Sequence, residues 1–405
     1  MITSRERVRN ALNFLPVDRI LKDLGSSRVT GMSAWTYRAL RSELGLTEKI
    51  PEVFDLSQMN VSVDIDVLDA LGCDFIMLPM QNLSLGLINS DYKNFTFWDS
   101  QIMHVPGGFS PHTDSSHALL HSESGKNGRL TRIMPKGCRY FENLEYPDIK
   151  SVDFEIPHIP EKDWPLPQLF RDEYLRTEEQ NARSLFQKSD KAIVSSGCLG
   201  MPVGYAGPVG WAMKIADDAA HAEDFMQKAA EIYAKRAKQY LQAVGAYIDV
   251  LIVSQTDFGS QQQELFNPAV FKTYFVPAWK KVTDAIHSAA DVKIFIHSCG
   301  SIFNLLEHII TAGVDIYNPV QWSADKMERE KLTETYGGRI VFWGGGVNTQ
   351  NTFPFGTPEE VLVEMRDSCR ILGRKNGYIL NPGHNIQADV PIKNICAFYR
   401  NIYTI

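Results

Sequence analysis

Nothing in this sequence reaches the ~18 uninterrupted apolar residues that a membrane span requires. Its N-terminal stretch, MITSRERVRNALNF, is charged and amphipathic rather than a basic segment leading into an apolar one. No membrane association is therefore expected, and the expected location is the cytoplasm. Cysteine is sparse and scattered: Cys73, Cys138, Cys198, Cys299, Cys369 and Cys396 are the six in 405 residues, which excludes a disulfide scaffold and leaves buried reduced thiols as the default. There is no dense Lys/Arg run, and 41 Lys plus Arg against 48 Asp plus Glu give a net charge of -7. Nucleic acid is accordingly not an expected partner. Linkers rich in Pro, Gly or Ser are absent, as are low-complexity segments, so residues 1–405 are expected to form one domain.

What is present is a repeated unit. Short apolar, β-rich runs end in Gly, Asn or another polar residue and are followed by stretches of helical period. Such runs occupy residues 19–23, 75–78, 191–197, 250–254, 293–297, 314–318, 340–344 and 378–381. Helices are predicted over 218–246, over 267–290 with Pro268 in the first turn, over 301–312, and over 358–372 behind Thr357 as N-cap. Eight strands with interposed helices predict an α/β protein of the (β/α)8 TIM-barrel type, with an open doubly wound sheet as the alternative. A helix over 4–15 is expected to cover the barrel floor or a neighbouring subunit, which leaves a homodimer open. Residues 95–146, with Gly-Gly, Pro, many Ser and His104, His112, His117 and His121, break the rhythm and read as an insertion of β-hairpins. Those histidines have no fixed metal spacing and are expected to be structural or surface groups.

In a barrel of this kind, catalysis belongs to the C-terminal ends of the strands. The polar residues there are Gln255 and Asp257, His297 and Cys299, Asn318 and Gln321, Asn348 after the Gly344-Gly345-Gly346 turn, and Asn381, His384, Asn385 and Gln387. His297 and Cys299 are two apart, so on an extended strand end both side chains point the same way and can meet one cation. Zinc suits an imidazole and a thiolate, and His384 on the last run is the candidate third ligand, leaving the fourth position open. The plain alternative makes His297 a hydrogen-bonding group and Cys299 a small buried hydrophobe. Cys198 is a second candidate thiolate. Asp257 reads as general base, as anchor for a substrate cation, or as a loop cap. The triple glycine lacks the spacing of a nucleotide loop and reads as a place of close backbone approach.

Several motifs together are similar to the uroporphyrinogen decarboxylase superfamily, specifically its methyltransferase-like branch of corrinoid and coenzyme M methyltransferases. They are Arg5-Glu-Arg-Val-Arg-Asn-Ala-Leu12 with Pro16-Val-Asp-Arg19, His297-Ser-Cys-Gly-Ser301, Asn318-Pro-Val-Gln321, Phe342-Trp-Gly-Gly-Gly346, Pro354-Phe-Gly-Thr-Pro-Glu-Glu360 and Asn381-Pro-Gly-His-Asn-Ile-Gln387. The resemblance implies a (β/α)8 barrel and one of two chemistries. Its decarboxylases work on a tetrapyrrole without cofactor and hold the substrate's carboxylates with an Arg-Gln-Ala-Gly-Arg motif; here Asp23-Leu-Gly-Ser-Ser-Arg-Val-Thr-Gly31 follows Pro16-Val-Asp-Arg19 instead. Its methyltransferases hold zinc by His-x-Cys and a more distant Cys. His297 and Cys299 match the first part, whereas His384 stands where the second cysteine is expected, and Val347-Asn348 stands for Ile-Asp.

The resemblance thus implies a zinc methyltransferase moving a methyl group between a small methylated compound and a methylcorrinoid on a partner protein. Asp257, His297 and Cys299 would be catalytic, with Gln255, Asn318, Gln321, Asn348 and Asn385 binding substrate. Met201, Tyr205 and Trp211 would form an apolar rim, with core packing as the alternative for each. A cofactor-independent decarboxylase on the same barrel is the alternative.

Overall fold

The computed structural model describes residues 2–116, 119–121, 130–144, 171–196, 200–204 and 207–400. Its centre is a sheet of eight parallel strands: β1 (Leu21–Lys22), β2 (Phe75–Met77), β3 (Ala192–Ser195), β4 (Val250–Gln255), β5 (Lys293–His297), β6 (Ile316–Asn318), β7 (Val341–Trp343) and β8 (Tyr378–Leu380). The hydrogen-bonded order is β1-β8-β7-β6-β5-β4-β3-β2, which is the neighbour order of a barrel and not of a doubly wound sheet. All eight predicted runs are strands.

The remaining edge, between β1 and β2, is drawn together by one residue. The Asp74 backbone N–H donates to the Lys22 carbonyl at 2.8 Å. Its carboxylate accepts the Lys22 N–H at 3.0 Å, Arg7 Nη1 at 3.0 Å and both Arg19 Nη atoms at 2.7 Å. Asp74 is fully buried, so this cluster of charge-assisted bonds works in a low dielectric, where each is strong.

Parallel strands inside a barrel are covered on both faces, which explains why the runs read as continuous apolar stretches. Val250 and Ile252 of β4 and Phe295 of β5 face the interior, together with Leu21, Phe75, Val194, Ile316, Trp343 and Ile379. Leu251, Val253, Ile294 and Ile296 face the helices. The floor of the barrel is filled by Val8, Ala11 and Leu12 of helix α1 (Ser4–Leu12). Thr3 and Glu6 form a capping box at its start. It ends three residues short of the predicted 15 because Phe14 takes a positive φ of 57° ahead of Pro16.

The outer layer includes helix α2 (Ala219–Val244), α3 (Val276–Ala289), α4 (Phe303–Thr311) and α5 (Pro358–Leu372). Each agrees with a predicted segment within a few residues, except that Phe271–Phe275 ahead of α3 is π-helical. The insertion forms a hairpin of Lys93–Thr96 with Ile102–Val105 and a four-stranded antiparallel sheet from His112–Thr113, Leu119–His121, Arg132–Met134 and Glu142–Asn143. Among the described residues no helix is long and apolar enough to cross a membrane.

Candidate metal centre

The inward phase of β5 that places Phe295 in the core places His297 at the mouth, where it is buried. Its Nδ1 lies 2.6 Å from Asn318 Oδ1, its partner in register on β6. The amide of Asn318 has one sensible orientation, because its Nδ2 donates to the Trp343 carbonyl at 3.1 Å. Oδ1 is then the acceptor, Nδ1 of His297 carries the proton, and Nε2 presents a lone pair to the barrel mouth. Cys299 Sγ lies 3.3 Å from that Nε2. His384, from the loop after β8, sets its ring 5.4 Å from that of His297, centroid to centroid. One ligand atom from each of His297, Cys299 and His384 lies within 4.8 Å of the others.

The electrostatics suit a cation. Burial pushes His297 below the usual histidine range, and burial with the neighbouring His297 holds His384 down at about 3. Both are therefore neutral imidazoles, the form that ligates metals. Burial and the Asp257 carboxylate push the Cys299 thiol upward, so its thiolate needs a nearby positive charge.

The strand end is held rigidly by its own backbone. Ser298 N–H donates to the Asn318 carbonyl at 2.7 Å, Cys299 N–H to Asp257 Oδ1 at 2.7 Å and Gly300 N–H to Gln321 Oε1 at 2.8 Å. Ser298, pointing the other way from its neighbours, accepts the Phe258 N–H at 2.9 Å. Gly300 has φ +87°, and a Cβ there would lie 2.5 Å from Gly259 C and Ser260 O; only glycine permits this close approach. Ser298 and Gln261, whose Oε1 accepts from Gln321 Nε2 at 3.0 Å, escaped the sequence reading because neither type carries a chemical signature by itself.

The remaining expected residues divide by position. Asp257 stands beside the centre, with Oδ1 3.9 Å from His297 Nε2, and caps the Cys299 N–H. Asn318 corrects the expectation of a substrate contact: both ends of its buried amide are engaged by His297 and Trp343. Asn385 ties the β8 loop to the β1 loop, accepting the Gly31 N–H at 2.6 Å and donating to the Arg28 carbonyl at 2.7 Å, and it also lines the cleft beside Cys299 and His384. Gln321, Asn348, Cys299 and His384 line a cleft of about 300 Å³, together with Gln261, Trp322, Gln350 and Gln387. Gln255 lies outside it, in a separate cleft with Met80, Met201 and Tyr233. Met201 is thus a wall of that second cleft, while Trp211 is fully buried against Phe225 and forms no rim. Cys198, Tyr205 and His117 lie outside the described residues. In the triple glycine, a Cβ on Gly344 would meet the Pro382 carbonyl at 2.9 Å and one on Gly345 the Val320 carbonyl at 2.3 Å, the close approach the sequence suggested.

Asn318→Ala removes the group that orients His297 while leaving its nitrogens in place. Zinc affinity should fall by about 10–100-fold, the usual consequence of losing a hydrogen-bond partner of a metal ligand. Titration against a chromophoric chelator measures this, and unchanged affinity would dismiss the orienting role.

A parallel eight-stranded barrel whose strand ends converge on a buried His and a half-buried Cys and His is the architecture of the (β/α)8 enzymes. Within that class the chain is similar to the uroporphyrinogen decarboxylase superfamily: the family described as Uroporphyrinogen decarboxylase (URO-D) matches residues 203–404. Among curated relatives, uroporphyrinogen decarboxylase of Parasynechococcus marenigrum is 31% identical over 156 residues, 36% of this chain and 42% of that protein. The barley (Hordeum vulgare) enzyme of the same name is 27% identical over 153 residues, 36% of this chain and 44% of its own length. The chain thus aligns with less than half of these relatives. Among solved structures, a methyltransferase from Methanosarcina mazei superposes with a TM-score of 0.53 at 15% identity, covering 98% of this chain and 97% of that one. That likeness extends the shared fold over the N-terminal half.

Proposed function

We propose that this protein is a zinc-dependent methyltransferase that moves a methyl group between a small methylated compound and a corrinoid carried by a separate protein. The observation that carries the reading is the His297, Cys299 and His384 donor set, with ligand atoms within 4.8 Å of one another. The fit to zinc rests on the chemistry of these donors: two neutral imidazole nitrogens and one thiol, three protein ligands that leave a fourth position for a reactant.

Zinc bound there supplies Lewis-acid polarisation of the heteroatom that parts with its methyl group. The chain's own contribution is positional. Asn318 fixes the tautomer of His297, Asp257 and Gln321 hold the backbone of Cys299 and Gly300, and the side chains of α1 fill the floor of the barrel. The methyl group passes to the corrinoid, and the heteroatom left behind takes up a proton. A histidine in place of a second thiolate makes the centre less negative, which favours polarising a methyl donor over activating a thiol acceptor.

The names of the curated relatives carry the other reading, a cofactor-independent decarboxylase. A polycarboxylate substrate needs free guanidinium groups. In the β1 region Arg28 Nε is held by buried Asp55 at 3.0 Å and Arg19 by Asp74, so these cations are already neutralised.

The test is protein purified without chelator, assayed for metal by mass spectrometry and for methylation of cob(I)alamin by its absorbance change. About one zinc per chain and donor-dependent methylcobalamin formation are expected. No zinc, or release of carbon dioxide from a carboxylated pyrrole without methyl transfer, would overturn the reading.

A further inference from the structure

The cleft that opens beside Cys299 and His384 is polar, yet its described walls hold no carboxylate, ammonium or guanidinium. Its side chains are carboxamides and hydroxyls, from Gln261, Asn348, Thr349, Gln350 and Gln387, with Trp322 and Val347 supplying apolar surface. Charge is not scarce at this end of the barrel. The adjoining cleft of about 630 Å³, which shares His384 and Gln387, carries Arg139 and Asp389.

The amides are also oriented. Gln261 uses its Oε1 to accept from Gln321, and Asn348 uses its Oδ1 to accept the Gln350 and Asn351 N–H groups at 2.9 and 3.1 Å. Their NH2 groups have no partner among the described residues, so what the cleft offers a ligand from these two residues is hydrogen-bond donors. A cation or an anion drawn into such walls would leave water without a counter-charge, an unfavourable exchange.

From this geometry we infer that the cleft selects an uncharged small molecule bearing ether or hydroxyl oxygens, and discriminates against ammonium and carboxylate analogues of the same shape. The inference deepens the proposed methyl transfer and rests on it for the identity of the ligand as the methyl donor. A volume near 300 Å³ fits a compound at the small end of ligand size.

Three probes of one shape separate the possibilities: 3-methoxybenzyl alcohol, 3-methoxybenzylamine and 3-methoxybenzoate, with binding to the zinc-loaded protein followed by calorimetry in the absence of any corrinoid. The alcohol should bind at least about tenfold more tightly than either charged probe, a difference of about 1.4 kcal/mol. In Gln261→Glu, which keeps the acceptor used by Gln321 and adds one negative charge, the preference should move at least tenfold toward the amine. Equal or tighter binding of either charged probe by the wild type, or no binding of the alcohol, would overturn the inference. Because the assay needs no turnover, neutral selectivity without methyl transfer would sink the enzymatic reading alone, and transfer from the amine or the benzoate would sink this one alone.

Discussion

A Cys299→Ser protein should fold normally, bind zinc at least about 100-fold more weakly than the wild type, and show no methyl transfer above background, beyond the 10–100-fold loss typical of disturbing a ligand's neighbour. The reason is charge. Serine preserves size and the hydrogen bond from its backbone N–H to Asp257, but a hydroxyl stays protonated near neutrality, where a thiol beside zinc gives up its proton. Only the anion is removed. Competition with a chromophoric chelator gives the affinity, and thermal unfolding with the metal stripped should coincide for the two proteins. Full zinc occupancy together with unaltered transfer in Cys299→Ser would take the centre out of the reaction.

The second large effect concerns the barrel seam. Asp74→Ala deletes the carboxylate shared by Arg7, Arg19 and the Lys22 N–H; Arg7 keeps Asp18, while Arg19 loses both of its carboxylate contacts. Breaking a buried charge network from one side typically costs 3–5 kcal/mol, so the urea midpoint should fall by roughly that energy divided by the slope of the transition. A loss below about 1 kcal/mol, the centre of the distribution for ordinary substitutions, would show that the seam holds without Asp74. The carbonyl of Lys22 and the N–H of Asp74 remain in Asp74→Ala, so the main-chain link alone would then be sufficient.

The eight strands were legible because both faces of a parallel strand are buried, and continuous β-rich runs such as Val250-Leu-Ile-Val253 betray that directly. Closure was not legible. It depends on Asp74 meeting Lys22 and Arg7 across 52 and 67 residues of chain, and no local period encodes such a meeting. The N-terminal helix was placed well and ended too late, because the positive φ of Phe14 is a backbone choice that side-chain pattern does not announce.

At the site, His297 and Cys299 follow from strand alternation, and His384 from the motif in which it stands. Amides were harder to read. Asn318, Gln321, Asn348 and Asn385 have the same vocabulary of one acceptor and two donors, and only their partners distinguish a group that orients a ligand from one that ties loops or faces a cleft. Gln255 shows the limit of reasoning from strand ends: it pairs in register with His297, yet opens into a different cleft.

Among the described residues, Val8, Ala11 and Leu12 of α1 close the floor of the barrel. With the floor stoppered by apolar side chains, a reactant meets His297 and Cys299 at the mouth. A two-reactant transfer at that mouth must either alternate its occupants or seat them side by side. For the proposed methyl transfer, the two clefts that share His384 and Gln387 would provide the second arrangement, with one imidazole as the party wall between them.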